Sequence, residues 1–520
     1  MYYIARFICF LFICPLSLSA GDNAMNSTPF RFLYWYLPST FDTYKSDRID
    51  VLPVIRNIYA PLITSFMNSR TEGMIAESWK VDPTGKTWRF KIRKGLTFDD
   101  GTPITADIVL KNFRRILWLT RKDALPLNSL MPEVRDWNNY AAPLKSIYAT
   151  GDTLIFKLNK RAADLCEILD QAIYSIADPK CFDKNAQWKD DFCYSASGAY
   201  RVKSISKEKV VLESRHVFHS VEYAPGVVEI YGSPANRDFI GAITGNSCDM
   251  TVQMSSSLGK DKLKTLTSAG VAVTEGIATD MYFMELNHKH PPFSDPALRR
   301  SVRDVFFYIL QNGSQLSSQV SIDHSFIPKG GMGYVKFHAP RSVRPVKGAK
   351  GKVVIISTPL PEKITSKDQD IKILVEEALT ESLRLHGMTS HIIRLSGKEW
   401  YNRKAKGAYD IIYRASGISI SDPFVSLRMM FMSKIGACIP DPSGKIPEII
   451  KEAEGTRGPS DRRLLAEKIN KTIFDDAAVL TFMHSGPVYL HNQGVDLSHF
   501  NSASDVVEFR AISWRPEMVK

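Results

Sequence analysis

At 520 residues the chain is more than three times the ~150 that one domain usually takes, so two or three domains are expected rather than a single core. A composition of 44% hydrophobic and 23% charged residues, with 30 Gly and 28 Pro, excludes collagen, coiled coil and wholesale disorder. The formal charge of +12 comes from Lys and Arg interleaved with Asp and Glu rather than gathered into a run, which argues against nucleic acid as a partner.

The first sustained apolar stretch is N-terminal. Arg6 supplies a positive charge, Phe7 to Cys14 is apolar, Pro15 interrupts, and Ser17-Leu18-Ser19 places small residues at the positions a leader peptidase needs for a cut before Ala20. Residues 1–19 are therefore read as a signal peptide and the mature protein as secreted. Ile8 and Ile13 precede Cys9 and Cys14, where a lipoprotein cut requires a small residue, so no lipid anchor is expected. Nothing later reaches the roughly 18 to 20 apolar residues that cross a bilayer. Beyond the leader lie Cys166, Cys181, Cys193, Cys248 and Cys438, an odd set in which at least one thiol stays free or pairs elsewhere. Cys181 and Cys193 are the nearest pair in sequence; a bridge between them and two reduced thiols are both open.

Further along, Trp88, Phe90 and Ile92 alternate as a half-buried strand over Thr87–Ile92, and Leu154, Phe156 and Leu158 do the same. Between them a helix is expected, with Thr105 as N-cap, Asp107 in its first turn, and Val109, Phe113, Ile116 and Leu117 at helical spacing. The Pro-punctuated stretch 124–143 reads as a surface excursion, and the basic stretch 340–352 as an exposed connection. A strand over Val353–Ser357, a helix over Ile371–His386 ended by Gly387, and a strand over His391–Leu395 form a strand–helix–strand unit of an α/β lobe.

Common catalytic signatures are missing: there is no His-Glu-x-x-His helix, no Gly-x-Ser-x-Gly turn, and no phosphate loop at Gly348–Lys352. Two histidine groups, His288/His290 and His216/His219 with Glu213 and Glu222, have spacings that could ligate a metal, but both sit in loop-like sequence and are read as solvated. No cofactor and no metal site are expected, and a binding role is favoured over an enzyme.

A long ordered stretch carries more information. Ile75-Ala-Glu-Ser-Trp79, Gly85-Lys-Thr-Trp-Arg-Phe90 and the run from Ile92 through Phe98-Asp-Asp100-Gly101-Thr-Pro103 to Asp107 resemble the hallmark of the family 5 extracellular solute-binding proteins, the oligopeptide- and dipeptide-binding receptors of ABC importers. Locally the motif builds structure, since Asp100-Gly101 turns the chain, Pro103 stiffens the exit and Thr105 caps a helix. Ser39 to Asp42, Ile58 to Leu62, Ser197-Gly198-Ala199-Tyr200, Leu286-Asn287, Pro292-Phe293, Asp295, Arg299 and Asp410 to Pro423 continue the resemblance.

The resemblance implies an α/β fold, a periplasmic-binding-protein type II-like clamp of three domains. Discontinuous domain I would take 20–56, 186–283 and 490–520, inserted domain II 57–185, and α/β domain III 284–489. It implies a monomeric periplasmic protein, not an enzyme, that captures a short peptide between two lobes and delivers it to an inner-membrane ABC permease. A glutathione-like peptide, a nickel chelate or haem is the alternative ligand, and a secreted hydrolase with a dispersed site the rival class. In Arg414-Ala-Ser416-Gly417-Ile418-Ser419-Ile-Ser421-Asp422-Pro423, Ser419 or Ser421 stands where oligopeptide-binding relatives carry the carboxylate that fixes a peptide ammonium. Arg414 is expected to face a ligand carboxylate as a positive charge without a matching negative one nearby. Ser416, Gly417, Ile418, Trp400, Tyr36, Leu37, Phe482 and Met483 complete the candidate ligand set.

Overall fold

The computed structural model of the chain describes residues 28–45, 52–65, 71–122, 125–232, 238–254, 260–312, 322–346, 349–359, 366–419, 422–432, 439–456, 458–500 and 506–519. The expected leader, Ser421 and Cys438 lie outside them. Among the described residues no helix is long and apolar enough to cross a membrane.

Three larger sheets organise the molecule. The first has seven strands in the order Ala272–Glu275, Pro487–His491, Met250–Met254, Phe30–Tyr34, Val227–Gly232, Lys209–Ser214 and Tyr200–Ile205, drawn from sequence-distant parts of the chain. Phe30, Phe32 and Tyr34 pack from its first chain segment against Phe509 and Trp514 from its last, which ties the two ends of the chain into one core. The second sheet, four antiparallel strands in the order Ala76–Val81, Thr87–Ile92, Thr153–Lys157 and Ile147–Thr150, is covered by the helix Ala106–Leu119. The third has five strands in the order Thr389–Leu395, Val353–Pro359, Ile411–Gly417, Asp280–Leu286 and Val479–Ser485.

Short-range expectations hold where a few residues decide them. Thr87–Ile92 is a strand with Trp88, Phe90 and Ile92 buried, and Thr105 Oγ1 accepts from the Ile108 N–H at 3.3 Å to cap the following helix. Gly101, at φ +86°, lies between Phe98, whose carbonyl it bonds, and Thr102, whose N–H reaches Asp100 Oδ1 at 3.0 Å. Val353–Pro359 and Thr389–Leu395 pair in parallel, joined by a helix whose Val375, Ala378 and Leu379 are buried. That helix starts at Ser366, five residues before the expected Ile371.

The stretch 124–143 departs from its reading as a surface excursion. Pro126–Leu130 and Glu133–Asp136 are short helices, and Leu127, Leu130, Met131, Val134 and Trp137 are buried in the core of the four-stranded sheet's domain. Pro126 occupies the first turn of a helix, where its missing N–H costs nothing, so the proline begins structure here instead of breaking it. Described residues of 340–346 are partly or fully exposed, as expected of a connection.

Cys181 and Cys193 form a disulfide, and Cys166 and Cys248 take no part in one. The bridged loop is held by Arg115, which is buried. Its guanidinium pairs with Asp42 at 2.8 Å, donates from Nε to the Ala186 carbonyl at 2.9 Å and lies 4.8 Å from the Trp188 ring.

Two stretches of chain join the seven-stranded and five-stranded sheets, Gly276–Thr279 outward and Ser485–Pro487 returning. They run together: Gly276 N–H donates to the Pro487 carbonyl at 2.7 Å, and a Cβ on Gly486 would lie 2.7 Å from the Ile277 carbonyl oxygen and 2.9 Å from Ala278 Cα. Because those neighbours are backbone, they cannot rotate away. Gly486→Ala is expected to destabilise the fold by about 2 kcal/mol in urea unfolding, the range for forcing an extra carbon into a packed site. Unchanged stability would show that the two crossings can separate freely.

Candidate ligand-binding cleft

The crossings place one end of the five-stranded sheet against one end of the seven-stranded sheet. In the former, Asp280 lies opposite both Gly417 and Ser485, and the Ile418 N–H donates to the Thr279 carbonyl at 2.9 Å. Ser416, Gly417, Ile418 and Ser419 therefore lie beside the outward crossing, with Ile418 buried and Gly417 exposed. In the latter, Leu33 pairs with Thr251, and that neighbouring strand ends at Met254 opposite Pro487. Tyr36 and Leu37 thus leave the sheet at the end where the returning crossing enters. Tyr36 is 53% exposed, and Leu37 lies against Gly232, which has no room for a side chain there.

Other candidates stand back from the crossings. Phe482 and Met483 are buried in the core of the five-stranded sheet, with the Phe482 ring 6.3 Å from Phe306 and 5.9 Å from Tyr413. Trp400 is half-buried on the helix Gly397–Lys406, and its Nε1 donates to the Tyr413 carbonyl at 3.2 Å.

Arg414 differs from expectation, because a negative charge does match it. Its Nη1 donates to Glu285 Oε2 at 2.8 Å, and its guanidinium lies 5.4 Å from the Phe283 ring. Glu285 is fully buried on the adjacent strand and also takes the Lys404 ammonium and the Tyr409 hydroxyl on its other oxygen. Two cations thus share one desolvated carboxylate. Burial, reinforced by Glu285, pushes the Tyr409 hydroxyl well above the usual phenol range, so it stays a neutral donor. Reading the sequence missed Glu285; the available signal was a lone acid inside the apolar run Met281–Leu286.

Ser419 is secured from behind, its N–H donating to Ser426 Oγ at 3.0 Å. Asp422, a further acid near this loop, is committed internally. Its Oδ2 accepts from Arg462 Nε at 2.9 Å and Nη2 at 2.6 Å, and its Oδ1 accepts from the Phe424 N–H.

Beyond the loop, the helix Phe424–Met432 meets the four-stranded sheet's domain. Arg428 reaches Asp164 at 3.2 Å and Glu454 at 3.1 Å, and Lys160 reaches Glu454 at 2.7 Å. Glu167 lies in the same region with a buried Oε2 that has no hydrogen-bond partner. Burial, with Asp422 and Asp164 adding to it against Arg462, pushes its carboxyl up to about 7.

The histidine pair near Glu213 is used differently from a metal site. His219 Nε2 is 2.8 Å from Ser214 Oγ, and burial lowers its pKa to about 4. His216 instead lines an open cavity of about 590 Å³ shared with Asp99, Arg201, Glu213 and Arg215. Among the described residues no group of three or more His, Cys, Asp or Glu could hold a metal ion.

Residues 70–303 match the model of the bacterial extracellular solute-binding proteins, family 5 Middle. Similar proteins include the probable D,D-dipeptide-binding periplasmic protein DdpA of Escherichia coli, 23% identical over 429 residues and 78% of each chain. The periplasmic oligopeptide-binding protein OppA of the same organism is 23% identical over 282 residues, 51% of this chain and 50% of that one. Among solved structures, the periplasmic binding protein DppA of Helicobacter pylori in complex with peptide STSA superposes with a TM-score of 0.69 at 16% identity, covering 94% of this chain and 98% of that one. NikA of Brucella suis in complex with Fe(III)-EDTA gives 0.72 at 15% identity, covering 93% and 100%. The fold is that of the periplasmic binding proteins, and the stretch 70–303 is similar to the middle part of the family 5 extracellular solute-binding proteins.

Two expected outcomes follow from the buried charges. Glu285→Gln keeps the side-chain shape but leaves Lys404 and Arg414 without their shared anion, and is expected to cost on the order of 3 kcal/mol in urea unfolding. Adding Lys404→Met should recover part of it; no loss in the single variant would mean the cluster is hydrated. For Glu167 the folded pKa lies above the unfolded one, so its protonated form contributes stability that is complete below about 4.5 and lost as pH rises through about 7. Glu167→Gln should therefore gain on the order of 2 kcal/mol over the parent between pH 5 and pH 8, read from denaturation at both, whereas parallel pH profiles would rule this out.

Proposed function

We propose that the protein is a periplasmic receptor that captures short peptides between its two lobes and delivers them to an ABC permease of the inner membrane. The observation carrying this reading is convergence: the loop Ser416–Ser419 and the strand exit Tyr36–Leu37 come from different sheets, yet each lies at the end of its sheet where the two crossings join them. A ligand there touches both lobes, which is what a clamp needs if binding is to favour its closed form. Exposed strand-end backbone at Gly417 offers hydrogen bonds that recognise a peptide main chain irrespective of its side chains. Similarity to DdpA and to the peptide complex of DppA supports the same ligand class.

In this proposal the mobile lobe is domain III, 284–489. Domain I comprises 20–56, 186–283 and 490–520, and domain II is 57–185. The receptor acts as a monomer after removal of a leader, and is not an enzyme.

The test begins with protein unfolded and refolded to strip retained ligand, then exposed to alanine di-, tri- and tetrapeptides. At least one length should raise the unfolding free energy by about 2.7 kcal/mol at a hundredfold excess over Kd, with a smaller radius of gyration in scattering. If none binds, while native mass spectrometry of unstripped protein shows a metal chelate or haem, the peptide reading is wrong.

A further inference from the structure

The helix Phe424–Met432 has two working faces. Phe424, Leu427 and Phe431 point into the core of the five-stranded sheet's lobe. Val425 instead joins an apolar core whose other buried members all lie between Ala60 and Ile176, in the domain of the four-stranded sheet. Arg428, one turn on along the same face, crosses to Asp164 of that domain while its Nε holds Glu454 of its own lobe. Arg428 and Asp164 are 8% and 4% exposed, so this contact is excluded from water. Lys160, from the opposite side, closes on the same Glu454.

The helix also follows directly from the candidate ligand loop. Ser426, in its first turn, accepts from the Ser419 N–H, and Asp422, which caps the helix, is clamped by Arg462. A displacement at Ser419 is therefore passed to the helix through this hydrogen bond.

We infer that Arg428 is a positioning residue for ligand capture: with Asp164 and Glu454 it forms a latch between the lobes, remote from the ligand, and the Phe424–Met432 helix couples that latch to the loop at the cleft mouth. This rests on the clamp reading above. Opening the lobes must separate Arg428 from Asp164 and withdraw Val425 from its apolar site, whereas closing restores both. Arg428 touches no ligand, so it acts on how long the clamp stays shut.

Asp164→Asn and Arg428→Gln test this in the full mature chain, with Asp164→Asn the milder change if Arg428→Gln does not fold. Small-angle scattering without any peptide should show a larger radius of gyration in either variant than in the parent. For whichever alanine peptide binds the parent, affinity should weaken on the order of tenfold through faster dissociation, with the association rate little changed. The double variant should lose no more than the worse single one, because both remove one contact. Unchanged ligand-free scattering would overturn the latch whether or not a peptide is found. So would an unchanged dissociation rate alongside lowered melting, which is the signature of a merely structural pair. Failure of every peptide to bind the parent would instead count against the peptide reading and leave the scattering comparison to judge the latch.

Discussion

In the proposed clamp, any movement of one lobe against the other is governed by the two antiparallel crossings at Gly276–Thr279 and Ser485–Pro487. A lobe attached by one strand would swivel without direction, and one attached by many could not turn. Two strands that lie against each other, close enough that Gly486 has no room for a Cβ, leave mainly a rotation that carries the five-stranded sheet toward or away from the rest.

That lever explains why the mouth and the lobe interior are built from different chemistry. Near the crossings the backbone is pinned by main-chain hydrogen bonds, including Ile418 to Thr279, which survive small rotations. Inside the lobe of the five-stranded sheet, Glu285 is a fully buried acid tying Arg414 and Tyr409 to the helix that carries Lys404. The cluster costs desolvation that apolar packing would avoid, yet it fixes the helix Gly397–Lys406 at one register over the sheet. Arg414 is thereby held beneath the candidate loop by its partner instead of waiting for one.

Legibility in the sequence followed contact distance. The Thr87–Ile92 strand, the Thr105 cap and the Asp100-Gly101 turn were readable because their determinants lie within a few residues of one another. The family motif was legible for the same reason, and it marks fold-building turns. Asn287, part of the resemblance, spends its amide on the carbonyls of Gly407 and Tyr409, and Arg299 bonds the carbonyls of Phe293 and Asp476. What stayed hidden were partners set far apart: Glu285 and Arg414 are separated by 129 residues and Asp164 and Arg428 by 264, and no periodicity connects them. The prolines of 124–143 misled because the same residue that breaks a helix interior also starts one.

Ion pairs at this interface suit the proposed receptor, which would have to release what it binds. An apolar surface of similar size would favour closure by an amount growing with area, and a ligand could then add little discrimination, since the empty clamp would already be shut. Buried ion pairs behave otherwise: the Coulomb gain of Arg428 with Asp164 and Glu454 is largely offset by the water both sides surrender, so the net preference is small although the geometry is specific. Val425 adds an apolar contribution beside these charges. In the proposed clamp, a balance of that kind would keep open and closed states within a few kcal/mol of each other, the range in which a ligand bridging the two lobes decides the outcome.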